Sequence, residues 1–265
     1  MIKSIQKRGI AFKVNASNPS LVSRLVQSTQ AFGTTFRNFS FWNRVARNAY
    51  EPHIFEVFDR FLDKEHSFID IGSWIGPMVL YGCQRARKCY AVEPDPVAFA
   101  ILTSNVALNP ELQERIVLFN GAIWNQTGTM RFGTSSTFGD SMSSGHFTDS
   151  FNTLAVPSMT FEDFVARHRI ADLGFIKMDI EAGETVVLPT MKEFIAERAP
   201  TMFISLHPLW FPDLESDTRR ILEVLSPYRA IFSITGKPLS PEYIARRLKT
   251  RLILDILATN LPWKA

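Results

Sequence analysis

From residue 67 onward, short β-rich runs alternate with helix-length patterns, and the connections between them are brief. Parallel strands need crossovers, and a helix between strands supplies one, so this alternation demands an open and mostly parallel sheet. Strands are predicted at 67–72 (SFIDIG), 88–93 (KCYAVE), 115–123 (RIVLFNGAI), 174–180 (GFIKMDI), 201–207 (TMFISLH), 230–235 and 252–259. Helices are predicted at 77–87, 96–108, 160–169, 184–197 (interrupted by Pro189) and 215–225. Thr160-Phe-Glu-Asp163 reads as an N-cap with acids in the first turn. Residues 128–132 read as a hairpin partner of 123–125, because Gln126-Thr127-Gly128 supplies turn chemistry. The Ser-, Thr- and Gly-rich stretch 133–150 reads as a loop placed to close over a ligand. Such sheets carry helices on both faces and bind ligands at the strands' carboxyl ends, where the strand order reverses.

The composition is that of a globular protein: 265 residues, 46% apolar, 21% charged, with a mean hydropathy of +0.00. Charge is uneven along it. Residues 1–50 hold eight Lys/Arg (Lys3, Lys7, Arg8, Lys13, Arg24, Arg37, Arg44, Arg47) and no acid, so the remainder has 21 basic and 26 acidic side chains. Seven aromatics (Phe12, Phe32, Phe36, Phe39, Phe41, Trp42, Tyr50) accompany that charge and favour packing over a transit peptide. The chain is therefore divided into a basic N-terminal extension, 1–49, serving as a cap or an oligomer contact, and a body, 50–265. Cys83 and Cys89 lack zinc-site spacing and read as reduced thiols. The stretch from Leu252 to Ala258 is short and broken by Asp255, so no membrane span is expected, and neither is a signal peptide. The expected location is cytoplasmic.

Chemistry collects at the predicted strand ends. Asp70-Ile-Gly72-Ser73-Trp74-Ile-Gly76 follows the first strand. Its glycines allow a tight turn, but it is neither a dinucleotide fingerprint nor a phosphate-cradling Walker loop. An acid before the turn repels a pyrophosphate and suits a cationic amine. Glu93-Pro94-Asp95 ends the second strand, with Glu93 placed to accept from ribose hydroxyls. Asn120-Gly121-Ala122, within the third, stands where an adenine edge is read. A nucleoside with an amino-acid tail and no phosphates meets these requirements, and S-adenosylmethionine (SAM) is such a molecule.

These residues resemble the class I SAM-dependent methyltransferases, and more narrowly the FkbM-type family. The resemblance runs through Tyr50-Glu51-Pro52, FIDIGSWIG, AVEPDP, FNGAIWNQTGTMRF, VPSMTFEDFV, FIKMDIEAGE and MFISLHP, over about residues 50–210. It implies a Rossmann-like, seven-stranded, mostly parallel sheet ending in an antiparallel hairpin. It also implies a SAM site from Asp70, Gly72, Ser73, Gly76, Glu93 and Pro94, with Asn120 and Ala122 near the base and Glu51 a further pocket residue. Three positions depart from the family pattern. Ser73-Trp74 replaces Ala-Asn, Glu181-Ala-Gly-Glu184 exchanges two small residues, and Ser205 replaces an acid two places before His207.

Methyl transfer from a sulfonium needs alignment of acceptor, methyl carbon and sulfur, and a hydroxyl acceptor gains from a base. Asp179 and Glu181 end the fourth strand and His207 the fifth. Asp179 or His207 is expected as the base, with Glu181 or Glu184 orienting the acceptor. Mg²⁺ would suit Asp179 and Glu181, yet one Asp-x-Glu does not establish a metal site, and none is assigned. The resemblance points to O-methylation of a carbohydrate or similar small metabolite. The competing readings are a catalytically drifted SAM-binding module and a nucleic-acid methyltransferase gripping phosphates with the basic arm. Without a clustered basic motif the latter partner is not expected; a homo-oligomer is compatible with the extension.

Overall fold

A computed structural model describes residues 2–16, 35–134, 136–147 and 152–263, with backbone only for 35–40; Arg24 and Phe32 lie outside the described residues. Seven strands form the central sheet: β3 (Ser67–Ile71), β4 (Cys89–Val92), β5 (Ile116–Phe119), β10 (Leu173–Met178), β11 (Thr201–Leu206), β12 (Ala230–Ser233) and β13 (Leu254–Thr259). Their spatial order is β12-β13-β11-β10-β3-β4-β5. Only β13 runs against its neighbours, pairing with β11 and β12 in antiparallel register. The Rossmann-like class I architecture expected from the sequence is the observed one. The chain begins the sheet at β3, builds outward to β5, then returns to place β10 on the other side of β3. The order thus reverses between β3 and β10, and a ligand crevice belongs there.

The strands are apolar runs because both faces are covered; all five residues of β3 and all six of β11 are buried. One core layer centres on Phe58, Phe68, Val79, Leu80 and Phe203, the other on Ile69, Ile176, Met178, Val187 and Ile204. Helix starts follow side-chain caps. Asp95 accepts from the Val97 and Ala98 amides before helix Pro96–Ala107, and Thr160 accepts from Asp163 before helix Phe161–His168. Pro189 divides the predicted 184–197 helix into Glu184–Thr190 and Lys192–Arg198. Helix Pro77–Gly82 is shorter than the predicted 77–87; Arg115 Nη1 donates to the carbonyls of Cys83 (2.7 Å) and Ala86 (3.4 Å), satisfying the end of the helix. Cys83 and Cys89 are buried free thiols, both pushed up by burial.

Two predictions around residue 120 are corrected. The run 115–123 is not one strand, since the chain leaves the central sheet at Asn120-Gly121, and β6 (Ala122–Ile123) joins a second sheet of order β6-β9-β7-β8. That sheet contains β7 (Gly128–Thr134), β8 (Ser143–Ser144) and β9 (Asn152–Met159). The expected hairpin between 123–125 and 128–132 is absent among the described residues, because β9 lies between them, parallel to β6 and antiparallel to β7. Within the stretch 133–150 a short strand forms, with Ser143 and Ser144 pairing against Thr134 and Gly133.

The N-terminal segment forms a hairpin of β1 (Ile2–Lys7) and β2 (Ile10–Asn15), followed by helix Thr35–Ala46. Arg8 and Gly9 both take positive φ, 48° and 78°, as a two-residue hairpin turn requires. Ile5, Phe12 and Val14 face inward and share a core layer with Phe58 and Phe68. Asn109 Oδ1 and Asn105 Oδ1 accept from the backbone amides of Lys13 and Asn15 at 2.7 and 2.8 Å. Trp42 is fully buried, edge-on to Phe12 and Phe41.

Candidate active site

An open cleft occupies the crevice between the carboxyl ends of β3 and β10. Its floor comes from Asp70, Gly72, Ser73 and Trp74 on one side and Asp179, Ile180 and Glu181 on the other. Glu93 and Pro94 close one end, Tyr50 and Glu51 another, while Ala122, Met130, Phe132 and Ser143 of the second sheet form a wall. Most of the site residues expected from the sequence therefore converge. Gly76, Asn120 and His207 do not line the cleft. Gly76 packs against Leu102, whose Cδ1 would lie 2.5 Å from an added Cβ, and Asn120 Nδ2 donates to the Glu93 carbonyl at 2.9 Å.

Gly72 serves a different contact from the one expected. At φ +85° its added Cβ would come within 1.9 Å of the Asp179 carbonyl oxygen. The glycine lets the ends of β3 and β10 pass each other, which sets the spacing of Asp70 and Asp179. Ser73 Oγ donates to the Asp70 carbonyl at 2.8 Å and tightens the same turn.

Glu93 is buried, with one oxygen accepting from the Trp74 amide (2.7 Å) and the other from the Asp95 amide (2.8 Å). Burial, then the charge of Asp95, pushes its carboxyl up to about 8 against those two amides. Each oxygen keeps a second lone pair for a ligand hydroxyl. Trp74 spans the rim: its indole donates to the Gly139 carbonyl at 3.0 Å, and its ring meets Phe41 edge-on at 4.6 Å. Asp95 ties the same loop down, Oδ2 accepting from the Gly139 amide at 2.6 Å. Farther along, Ser144 Oγ donates to the Glu181 carbonyl at 2.7 Å, and His146 Nε2 lies 3.1 Å from the Ala182 carbonyl.

The cleft is acidic. Six carboxylates line it (Glu51, Asp70, Glu93, Asp140, Asp179, Glu181) against one cation, Lys177. Sequence reading missed Lys177, which sits within an apolar strand and gives no outward signal. Its Nζ lies 3.2 Å from Asp70 Oδ1 and 3.6 Å from Asp179 Oδ2, and donates to the Gly72 carbonyl at 3.2 Å. Burial opposes its charge, but Asp70, Asp179 and Glu51 outweigh that and raise its pKa. The Asp70 pair lies outside hydrogen-bond angles, leaving both Asp70 oxygens buried without a donor. Burial raises Asp70 to about 6 in spite of Lys177. Burial, then the Asp179 charge, raises Glu51 to about 7.

His207 stands behind the floor, 5% exposed. Nε2 is 3.6 Å from Asp179 Oδ1 and from Glu181 Oε2, and Nδ1 is 3.6 Å from Glu184 Oε1. Burial would lower its pKa, yet Glu184, Asp179 and Glu181 together raise it to about 10. An imidazolium has no lone pair to receive a proton, and that state sets His207 as a cation among these carboxyl groups. Burial raises Glu181 and His207 pulls it back, leaving it at about 7. Glu184 is fully buried and accepts from the Ile180 amide at 2.8 Å, which fixes the turn that carries Glu181. Ligand atoms of Asp179, Glu181 and His207 all lie within 4.8 Å of one another, compact enough for a cation if His207 were neutral.

The acid missing at position 205 has a counterpart on the paired strand. Ser205 lies opposite Asp255 in register, its Oγ donating to Asp255 Oδ1 at 2.8 Å, while Asp255 Oδ2 is 3.2 Å from His53 Nε2. Neither lines the cleft. Trp210 packs edge-on against Phe147 at 5.1 Å, and Phe211 is buried in the core.

Comparison with solved structures gives a methyltransferase FkbM from Methylobacillus flagellatus KT at 16% identity, covering 83% of this chain and 53% of that one, with a TM-score of 0.48. This chain thus spans about half the length of that protein. An rRNA methylase from Streptococcus thermophilus matches at 12% identity over 79% of this chain and 95% of that chain, TM-score 0.39. M. jannaschii TYW2, in complex with AdoMet, matches at 9% identity over 97% and 83% of the respective chains, TM-score 0.41. No curated protein matches at a significant level. No helix among the described residues is long and apolar enough to cross a membrane. The profile of the methyltransferase FkbM domain matches residues 70–231, from the carboxylate that begins the cleft floor to the first half of β12 and across more than half of the sequence, so the chain belongs to the FkbM family of SAM-dependent methyltransferases.

Proposed function

We propose that this chain transfers a methyl group from SAM to a hydroxyl of a carbohydrate or comparable small metabolite, with Glu181 accepting the hydroxyl proton. The observation that carries the reading is the acidic lining of the cleft, six carboxyl groups against one ammonium at the switch in strand order. That excess suits a ligand bearing both a sulfonium and an ammonium, and the donorless Asp70 oxygens and the spare Glu93 lone pairs fit the cofactor's polar groups. When bound, SAM supplies an electrophilic methyl carbon. The protein's part is to hold the acceptor in line and to receive its proton. Glu181, poised near neutrality, is suited to the second task; Asp179, beside it, orients the acceptor, and the His207 cation fixes both carboxylates.

Calorimetric titration with SAM, followed by S-adenosylhomocysteine formation over a panel of mono- and oligosaccharides, tests the proposal. Binding with turnover on a sugar hydroxyl supports it. Binding without turnover on any hydroxyl would favour a drifted binding module, turnover confined to RNA would move the acceptor class, and absence of SAM binding would defeat the reading.

A further inference from the structure

The face just beyond His207 has features that the cleft does not use. Eight large apolar side chains are exposed among the described residues, and five fall in two adjoining segments: Leu209 and Trp210, with Tyr243, Leu252 and Ile253. Leu209, Leu252 and Ile253 are 59%, 61% and 59% exposed. Arg251 Nη1 donates to the Pro208 carbonyl at 2.7 Å, and Leu254 pairs with Leu206, so the chain at Leu209 and Trp210 adjoins that at Leu252 and Ile253. Four cations are interleaved with these side chains: Arg246, Arg247, Lys249 and Arg251. No acid occurs from Tyr243 to Leu254. The partners of three are neutral: the Tyr243 ring for Arg246, Thr250 Oγ1 for Arg247 and the Pro208 carbonyl for Arg251.

We propose that this face docks on an anionic phospholipid bilayer. Exposed aliphatic side chains ringed by unneutralised cations match an interface that offers phosphates outside and hydrocarbon just beneath. A nucleic acid would use the cations but leave Leu209, Leu252 and Ile253 without a role, since its bases stack on aromatic or guanidinium planes. The face also adjoins the cleft. Trp210 packs on Phe147, and residues shortly before Phe147, Ser143 and Gly145, line the cleft. A docked molecule would hold its cleft beside the headgroup layer, within reach of a hydroxyl on a lipid-linked acceptor. That last step rests on the proposed function; the docking does not.

Co-sedimentation of the full chain with vesicles tests the docking and needs neither methyl donor nor acceptor. Vesicles of equal parts phosphatidylcholine and phosphatidylglycerol should retain the protein, pure phosphatidylcholine should not, and added salt should weaken the retention. Arg246→Glu with Lys249→Glu should reduce retention by about tenfold or more, since each cation near such a surface contributes roughly a fivefold gain. Leu252→Ser with Ile253→Ser should weaken it independently while the charge is kept. All four side chains are exposed, and an unchanged melting temperature verifies the fold. Failure to bind the anionic vesicles, or equal binding by both variants, would overturn the proposal. Tighter retention on an RNA oligonucleotide than on the vesicles would also overturn it, and would assign the cations to nucleic acid.

Discussion

Lys177 and Asp70 face each other in register on adjacent parallel strands, Nζ 3.2 Å from Oδ1, and both are buried. The pair binds β3 to β10 at the point where the cleft opens. Removing one partner of a buried pair strands the other charge, which costs about 3–5 kcal/mol. Lys177→Met should therefore lower stability by roughly that amount at neutral pH. The loss should shrink as pH falls toward about 5, because Asp70, freed of the ammonium that holds it down to about 6, then takes up its proton at higher pH and no charge is left stranded. Urea denaturation at pH 7.5 and at about pH 5 compares the two. An equal loss at both would show that Asp70 is not the stranded charge.

The other cleft carboxylates give the free protein a pH dependence of definite sign. Glu51, Glu181 and Glu93 are raised to about 7, 7 and 8, so the folded state binds protons that the unfolded state has released. Their contribution is fully present below the ordinary carboxylate range and is lost as pH rises through about 7 and 8. His207 acts in the same direction, its contribution present below its ordinary pKa and lost as pH approaches about 10. Thermal stability of the free protein should fall from pH 6 to pH 9. Saturating SAM, a cation, should restore more at pH 8 than at pH 6, and S-adenosylhomocysteine, without the sulfonium charge, should restore less. Scanning calorimetry with each ligand decides it; a SAM gain that is flat with pH would remove these carboxylates from the cofactor site.

Glu181 and His207 should separate kinetically. Glu181→Gln keeps shape but cannot take a proton, so turnover should drop by about 10²–10⁴-fold with SAM affinity retained. The wild-type rate should rise with pH through about 7, and the variant should lose that limb. His207→Ala removes the cation that holds two carboxylates and should shift the limb upward rather than abolish it. An unchanged profile in both variants would take the pair out of the chemistry.

Much of this site was legible in the sequence because the carboxyl ends of parallel strands are marked by acids and glycines after apolar runs. Asp70, Glu93, Asp179 and Glu181 were found that way, and the fold brings all four to one cleft. The rest depended on contacts without local signals. Lys177 lies between apolar neighbours in a strand buried on both faces, and only the register with Asp70 gives it a role. The second sheet escaped because Pro157 interrupts the stretch that forms β9 and no strand is predicted there, so its insertion between β6 and β7 could not be foreseen. Ser205 read as a lost acid, whereas cross-strand pairing sets Asp255 directly opposite it.

Gly72→Ala should test how far the cleft depends on close passage of two strands. The substitution meets the Asp179 carbonyl oxygen and requires a left-handed backbone, which alone costs about 1–2 kcal/mol for a residue with a Cβ. Stability should fall and SAM affinity should fall with it, because Asp70 and Asp179 are pushed apart. Ser73→Ala, one residue on, loses only a hydroxyl bonded to the Asp70 carbonyl and should cost about 1 kcal/mol. Thermal melts and titrations on both variants would separate the effects. Comparable losses from the two would place the importance of this turn in its hydrogen bond rather than in the strand crossing.

The basic N-terminal segment, expected to serve as a cap or oligomer contact, has an apolar face built into the core: Ile5, Phe12 and Val14 are 0%, 2% and 0% exposed. Full burial of side chains of this kind contributes about 1.5–3 kcal/mol each. Phe41, from the following helix, meets Tyr50 and Trp74 edge-on at 4.6 Å, which links the segment to the cleft rim. Removing residues 1–16 should therefore lower the melting temperature markedly. Phe12→Ala should by itself cost about 3–5 kcal/mol, the usual penalty for deleting a buried ring. Lys13→Gln removes an exposed charge while leaving the apolar face, and should leave stability nearly unchanged. Melting curves of the three variants distinguish a packed element from a charged arm: if the truncated chain melts like the full one, the hairpin is an appendage after all.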